Sequence, residues 1–450
     1  MASLTPFLIF TLFISLSALS NAQTTSKPKA LLLPITKDAS TLQYLTTLKL
    51  GTPLVDKTFA IDLGGKHLWM VCESGYNSST YRPGHCGSAA CSVTKPTFPC
   101  LSLCHRPSNP PPSPGCNNNS CRVLAENPFF GGALVIEVAL DTISLRSTDG
   151  SKSGPAVSVP NFIFACAENQ DLNDIATGAN GIIGLGTNRV GFPSQLSALF
   201  GGSFRRKLAV CLPSTSKSNG VMFFGDSPHN FYPGYNTSKV IDVSSRFMFT
   251  KLYTNFQRTA SPRVQGEQLL EYFVKITSIL VNNNPIPLNT SLLEFRRTGI
   301  GGTKITTVSP YTILESSIYD SLVKAFDKEI LKTSKVKKVE AVAPFTDCYT
   351  KGNLGMSILG LGVPDISIVF ENNKDAIWQI YGANSMVEMS NDVACLGFLR
   401  VVSDTGTGSS IEIGGLQLQD NLVQFDLAAS RMAFTNTLLL EEVECSNFKF

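Results

Sequence analysis

Phe59-Ala60-Ile61-Asp62-Leu63-Gly64-Gly65-Lys66-His67-Leu68-Trp69-Met70-Val71-Cys72 runs as an apolar strand into an Asp-x-Gly turn and leaves through Leu-Trp-Met-Val. Apolar residues on both arms bury them, so a single carboxylate, Asp62, is held at a tight corner between two strands.

This stretch resembles the first active-site loop of pepsin-like aspartic proteases, whose pattern is Asp-Thr-Gly-Ser. Asp62 and Gly64 match it, whereas Leu63 replaces the Thr and Gly65 the Ser. Those enzymes need two such loops, because two carboxylates share one proton: one polarises water while the other protonates the carbonyl. The flanks of a second loop stand at Gly301-Gly302-Thr303-Lys304-Ile305-Thr306-Thr307-Val308-Ser309-Pro310-Tyr311-Thr312-Ile313-Leu314. They align with the plant pattern Gly-Gly-Thr-x-x-Asp-Ser-Gly-Thr-Thr-x-Thr-x-Leu, with Thr306 in the aspartate position and Val308 in that of the glycine. A hydroxyl, which titrates far above the working range, cannot replace a carboxylate in a shared-proton pair. The resemblance therefore implies a mainly β, bilobal, pepsin-like fold with a few short helices and no proteolysis. Asp62 is a remnant, Thr306 its replaced partner, and no metal or cofactor is called for.

The length of 450 residues suits two lobes of roughly 200 residues each. The expected division is a secretory signal over 1–22, a first lobe over 23–225 and a second over 226–450. Hydrophobic content of 43%, 35 Gly, 25 Pro and 16% charged residues describe a turn-rich globular β protein rather than a disordered chain. A net charge of +3 comes with no block of Lys and Arg dense enough for nucleic acid, and Lys335-Val336-Lys337-Lys338 reads as a solvated helix end. The apolar run from Pro6 to Leu19 is followed by Ser20-Asn21-Ala22, a small-x-small cleavage signature, although no Lys or Arg precedes the run. No later stretch is apolar for long enough to span a membrane. From Gln23 the chain reaches a strand pattern at Gln43–Pro53, leaving no room for the basic pro-segment that plugs an active protease, as expected of a protein that never cleaves.

Twelve cysteines in a secreted chain imply disulfides. They are Cys72, Cys86, Cys91, Cys100, Cys104, Cys116, Cys121, Cys166, Cys211, Cys348, Cys395 and Cys445. The close pairs Cys100/Cys104 and Cys116/Cys121 could also suggest zinc, but four histidines and an oxidising route weigh against it. Asn77, Asn118, Asn236 and Asn289 each open an N-glycan acceptor triplet in a loop-like setting.

Between Cys72 and Cys121 the sequence is rich in Ser, Pro, Gly and Cys, and its proline run reads as a surface loop clamped between cysteines. The plant proteases carry a Tyr-Gly flap after Cys121; here Arg122-Val-Leu-Ala-Glu-Asn-Pro-Phe-Phe130 follows. Alternation predicts strands over Gly132–Leu145 and Val157–Ala165. Gly178-Ala-Asn-Gly-Ile-Ile-Gly-Leu-Gly186 has a GxGxxG-like look, yet without a βαβ context it is read as the apolar-Gly strand beside the Asp62 loop, leading into a short helix capped by Ser194. Pro213 to Gly234 looks like a linker, after which the order of motifs repeats. Ser317-Ile-Tyr-Asp320 reads as a capping box, and Ile318, Leu322, Phe326 and Ile330 form one apolar helical stripe. Ile411-Glu-Ile-Gly-Gly-Leu416, Val423-Gln-Phe-Asp426 and Arg431-Met-Ala-Phe434 match the closing segment of pepsin-like chains.

A narrower resemblance rests on Asp-Leu-Gly-Gly, Tyr81-Arg-Pro, Pro114-Gly-Cys-Asn-Asn-Asn-x-Cys121, Gly301-Gly-Thr-Lys-Ile-Thr, Pro310-Tyr-Thr and Asp420-Asn-Leu-Val-Gln-Phe-Asp426. Together they are similar to the plant extracellular dermal glycoprotein, nectarin IV and xyloglucanase-inhibitor group, and to wheat-type xylanase inhibitors and legume basic 7S globulins. The resemblance covers the mature chain. It implies a secreted, monomeric protein of the apoplast or cell wall with six disulfides, Cys348–Cys395 and Cys211–Cys445 among them. It also implies binding to microbial endoglucanases or xylanases in plant defence.

Such hydrolases carry two carboxylates in an open cleft, which a cationic loop can engage while its neighbours exclude the glycan. Glucanase-inhibiting relatives use arginines in two second-lobe loops. Here the aligned positions are Ile358 and Gly408, in loops without Lys or Arg, with Lys351 and Arg400 nearby as substitutes. Two other readings stand beside inhibition: a non-inhibitory storage or extracellular binding protein, favoured by the missing arginines, and an active aspartic protease, opposed by Thr306.

Overall fold

A computed structural model describes residues 27–72, 75–96, 98, 100, 113–167, 172–202, 204–235, 238–254, 256, 268–296, 300–371, 376–401 and 408–450. The signal segment, the proline run, Cys104 and Asn236 lie outside the described residues.

Strand Val55–Asp62 pairs antiparallel with Tyr44–Leu50 and parallel with Gly181–Gly184, so that Asp62 stands opposite Gly184. The latter strand also pairs antiparallel with Trp69–Val71, which runs parallel to Ser153–Ala167. The turn at Asp62 is thus held between its two arms by a glycine-rich strand laid between them. Glycine is required there, because a Cβ on Gly181 would lie 2.1 Å from the Trp69 carbonyl oxygen, and one on Gly184 2.6 Å from that of His67.

The second half repeats the arrangement. Thr303–Ile305 pairs antiparallel with Tyr272–Val274 and parallel with Ile411–Ile413. Ile411–Ile413 pairs antiparallel with Thr312–Leu314, which runs parallel to Phe398–Arg400. The internal repeat of motifs is therefore a repeat of hydrogen-bonded geometry, and the fold is mainly β and pepsin-like.

The two halves share one sheet. Strand Lys207–Cys211 pairs with Gly220–Gly225 on one side and with Leu422–Asp426 from the far end of the chain on the other. Ala30–Lys37 extends it beyond Gly220–Gly225, and Arg431–Phe434 and Met248–Tyr253 extend it in the other direction. The Cys211–Cys445 disulfide fastens the same junction. This corrects the linker reading of 213–234: Gly220–Gly225 is buried at all six positions in the middle of the shared sheet. Its glycines and flanking polar residues mimic a linker, but the Val-Met-Phe-Phe interior does the packing.

The predicted strands appear as Gly132–Thr148 and Ser153–Ala167. Helix Ser316–Ile330 buries Ile318, Leu322, Phe326 and Ile330 as the stripe required. Its cap differs from expectation: Glu315 is the N-cap residue, its carboxylate accepting from the N–H groups of Ser317 and Ile318, and Ser317 is the second residue of the first turn. Helix Phe192–Phe200 likewise starts from Gly191 with Pro in its first turn, and Ser194 makes no cap.

Five disulfides join described residues: Cys72–Cys166, Cys86–Cys100, Cys91–Cys121, Cys211–Cys445 and Cys348–Cys395. Both pairs that the resemblance implied are formed. Cys116 is also disulfide-bonded. Cys100, Cys116 and Cys121, from the zinc-like spacings, are thus committed to sulfur–sulfur bonds.

Candidate functional site

The Asp62 corner opens on a cleft with a cavity volume of about 420 Å³ between the two halves. One Asp62 carboxylate oxygen accepts the Gly64 N–H at 2.8 Å, closing the turn. Thr306 closes the mirror turn in the same way, its hydroxyl accepting the Val308 N–H at 3.1 Å. The hydroxyl therefore takes over the turn-closing hydrogen bond of an aspartate while lacking its acid–base chemistry.

The two turns are clasped together by Thr307, whose hydroxyl donates to the Ile61 carbonyl at 2.7 Å and accepts the Leu63 N–H at 3.2 Å. Leu63, where the protease pattern has Thr, is fully buried and returns no side-chain hydrogen bond. One arm of a two-armed clasp remains.

An acid that the sequence did not bring to notice stands over this turn. Glu271 precedes strand Tyr272–Val274, and its neighbours are stitched to the first half: the Leu270 carbonyl accepts the Thr187 N–H at 3.0 Å, and the Tyr272 hydroxyl donates to the Leu185 carbonyl at 2.6 Å. A Cβ on Gly64 would lie 2.6 Å from Glu271 Cγ, and 3.5 Å from both the Glu271 carboxyl carbon and Asp62 Oδ1. The Glu271 carboxylate accepts the Leu270 N–H at 3.0 Å. No hydrogen bond joins it to Asp62 among the described residues, so the two acids share a field and not a proton.

Burial pushes the Asp62 carboxyl up to about 7, and the charges of Glu271 and Glu126 add to the shift, while the Gly64 N–H and Lys304 oppose it. Lys304 reaches Glu412 at 2.9 Å, the two residues facing each other in register on neighbouring parallel strands. Burial disfavours the Lys304 charge, but Glu412, Glu271 and Asp62 together hold its pKa above the ordinary value.

His67 lines the same cavity, is 3% exposed, and neither ring nitrogen has a hydrogen-bond partner among the described residues. Burial, with some help from Lys66, pushes its imidazole down to about 3, so the ring is neutral. Over the cleft lies the hairpin of Arg122–Asn127 with Gly132–Thr148. It contributes Leu124, Ala125, Glu126 and Pro128 to the lining, and its tip carries Phe130, 58% exposed, in place of a Tyr-Gly flap.

The predicted inhibitory positions lie apart from this lining. Ile358 projects, 64% exposed, between the short strands Met356–Ser357 and Gly360–Leu361. Gly408 accepts the Gly301 N–H through its carbonyl at 3.1 Å, beside the second turn's entry. Lys351 is paired with Glu388, and Arg400 with Asp320 at 3.1 Å. Asn77, Asn118 and Asn289 are exposed.

Comparison with known proteins covers nearly the whole chain. The family model for the N-terminal part of xylanase inhibitors matches residues 44–226, and that for the C-terminal part matches 271–436. A probable aspartic proteinase GIP2 of Nicotiana benthamiana is 44% identical over 439 residues, 98% of this chain and 96% of that protein. The crystal structure of edgp, 44% identical, superposes with a TM-score of 0.87 over 94% of this chain and 98% of that one. Conglutin gamma, a basic 7S globulin from lupine seeds, is 33% identical and superposes with a TM-score of 0.77 over 94% and 100% of the respective chains.

Proposed function

This chain belongs to the xylanase-inhibitor family of pepsin-like proteins, and from that membership we propose that it is secreted, cuts no peptides, and binds and inhibits a microbial cell-wall glycoside hydrolase. The target class is a xyloglucan-specific endoglucanase of family GH12 or a xylanase, met in the apoplast or cell wall by a monomer. The observation that carries the reading is the match of both family halves on a chain whose second catalytic position is Thr306. The two lobes meet near residues 225 and 226, and Asn77, Asn118, Asn236 and Asn289 carry its glycans.

The contact surface follows from what the two loops offer. Met356 and Ile358, 63% and 64% exposed, present an apolar tip without a cation. Such a tip excludes glycan by filling a groove rather than by pairing with its acids. Arg400 and Lys351 add charge, because an exposed ion pair is worth little and its cation can exchange Asp320 or Glu388 for a hydrolase carboxylate.

Rates of purified GH11 and GH12 enzymes with and without the protein test this reading. Inhibition at micromolar protein is expected, weakened about tenfold or more by Ile358→Asp and by Arg400→Ala. Unchanged xyloglucanase and xylanase rates sink it. That result would favour a non-inhibitory storage or extracellular binding protein, the reading supported by uncharged Ile358 and Gly408 and by the likeness to a lupine seed globulin.

A further inference from the structure

We propose that the groove between helix Ser316–Ile330 and the proline-bearing segment after strand Ile276–Val281 binds a small carboxylate with an apolar body, an aromatic or aliphatic acid. This groove shares no lining residue with the cleft between the two turns, and the site stands whether or not the chain inhibits a hydrolase. Its cavity volume of about 480 Å³ falls in the range of small-molecule sites. One wall is Ala325 with the stems of Lys324 and Lys328 on the helix, and the other is Pro285, Ile286 and Pro287.

The proline wall is preformed. Asn282 and Asn283, at φ 48° and 63°, turn the chain back within two residues, so that Asn284–Pro285 pairs with Leu280 and Val281. The Ile286 N–H then donates to the Ile279 carbonyl at 2.9 Å, and the Asn282 side chain accepts the Asp365 N–H at 3.0 Å. Ile286 is buried and anchors the wall, whereas Pro285 and Pro287 on either side of it are exposed. Proline has no N–H, so an apolar ligand body covers these rings without stranding a donor.

The charge of the helix wall selects the headgroup. Lys324 and Lys328 stand one turn apart on the face opposite the buried stripe, a like-charge spacing that destabilises a helix unless an anion lies between the two. The acids that could neutralise them are held by other cations. Asp320, one turn before Lys324, pairs with Arg400 at 3.1 Å, and Glu329, beside Lys328, pairs with Lys332 at 2.8 Å. Asp327 accepts from Lys338 at 2.8 Å and from the Tyr349 hydroxyl at 2.7 Å. Neither Lys324 nor Lys328 has an ion-pair or hydrogen-bond partner among the described residues. A carboxylate can take a charge-assisted hydrogen bond from each, its apolar body lying along Ala325 and the prolines. A cation would meet both lysines, and an anion without an apolar body would leave the proline wall to water.

Calorimetry and saturation-transfer NMR on the full chain test the proposal. Ferulate and decanoate are the probes, methyl ferulate is the neutral analogue, and citrate is the anion without an apolar body. Saturable binding of ferulate, of decanoate or of both is expected, with a Kd on the order of 1 mM or tighter, and it assigns the body to a ring, a chain or either. Lys324→Gln combined with Lys328→Gln is expected to weaken binding about tenfold or more, and added salt to weaken it in the parent. Lys335→Gln combined with Lys337→Gln, which neutralises two exposed lysines outside the groove, is expected to leave it unchanged. Thermal melting checks that both variants keep the fold, and the comparison of analogues on the parent stands without them. No saturable binding of either probe up to about 10 mM overturns the proposal. Equal binding of methyl ferulate or citrate overturns it too, as does equal binding in the parent and the Lys324→Gln, Lys328→Gln variant, or an equal loss in the control variant.

Discussion

The Thr307 hydroxyl donates a hydrogen bond to the Ile61 carbonyl at 2.7 Å, across 246 residues of sequence. With the Leu63 N–H donated to the same hydroxyl at 3.2 Å, this residue pins together two turns that present one carboxylate and one hydroxyl.

Replacing Thr307 by Val keeps the shape but strands a buried N–H and a buried carbonyl. The expected loss is about 1–3 kcal/mol. Urea midpoints of parent and Thr307→Val check it, and an unchanged midpoint would mean that water or a shifted backbone replaces the clasp.

Asp62 gives a pH signature. Its carboxyl is pushed up to about 7 from an ordinary value of 3.8, chiefly by burial. Between those values the folded state holds a proton that the unfolded state has released. Its contribution is therefore complete below about 3.8, declines as pH rises through the window, and is gone above about 7. The whole effect is at most ~4 kcal/mol. Asp62→Asn removes it while keeping an oxygen for the Gly64 N–H, so the difference in Tm between variant and parent should grow in the variant's favour from pH 4 to pH 7. Asp420, raised to about 6 by burial, stays in both proteins and cancels in that difference. Parallel Tm curves would refute the assignment.

Gly181→Ala is expected to prevent stable folding or to cost more than about 3 kcal/mol. The new methyl would approach the Trp69 carbonyl oxygen to 2.1 Å and Met70 Cα to 2.7 Å, and both are backbone atoms in the paired strand. Gly234→Ala, with nothing within 4 Å of the added carbon, serves as the control and should change stability by no more than about 0.5 kcal/mol. Denaturant melts of the two variants make the comparison.

The Cys211–Cys445 bridge closes a loop of 234 residues and ties the shared sheet to the chain's last turns. By chain entropy its removal costs about 5 kcal/mol, a third or more of a typical domain's stability. Cys211→Ala with Cys445→Ala should lower the urea midpoint more than Cys348→Ala with Cys395→Ala, whose loop spans 47 residues. Equal losses would place the effect in local packing instead.

Most of what short-range pattern sets was legible in the chain. The apolar arms and Asp-x-Gly corner, the second turn with Thr306, the duplication, the stripe from Ile318 to Ile330 and the oxidised cysteines each lie within a few residues or repeat a local motif. The helix caps slipped because each helix begins upstream of the serine read as its cap: the Glu315 carboxylate accepts the N–H of Ser317, and the Gly191 carbonyl that of Ser194. Gly220–Gly225 was misread because a strand flanked by glycine and polar residues shows its interior only when partners lie on both sides.

The sequence by itself established a twice-repeated strand-and-turn scaffold with one carboxylate left at its two corners. Tertiary structure alone brought Glu271 over Gly64, set Lys304 against Glu412, buried the His67 ring with no hydrogen-bond partner among the described residues, and tied Arg400 and Lys351 to carboxylates of their own chain. Periodicity and turn chemistry act over a few residues and are written in the local order of amino acids. The cleft's charge pairs and clasp arise between segments as much as two hundred residues apart, and they exist only once the shared sheet has fixed one half against the other.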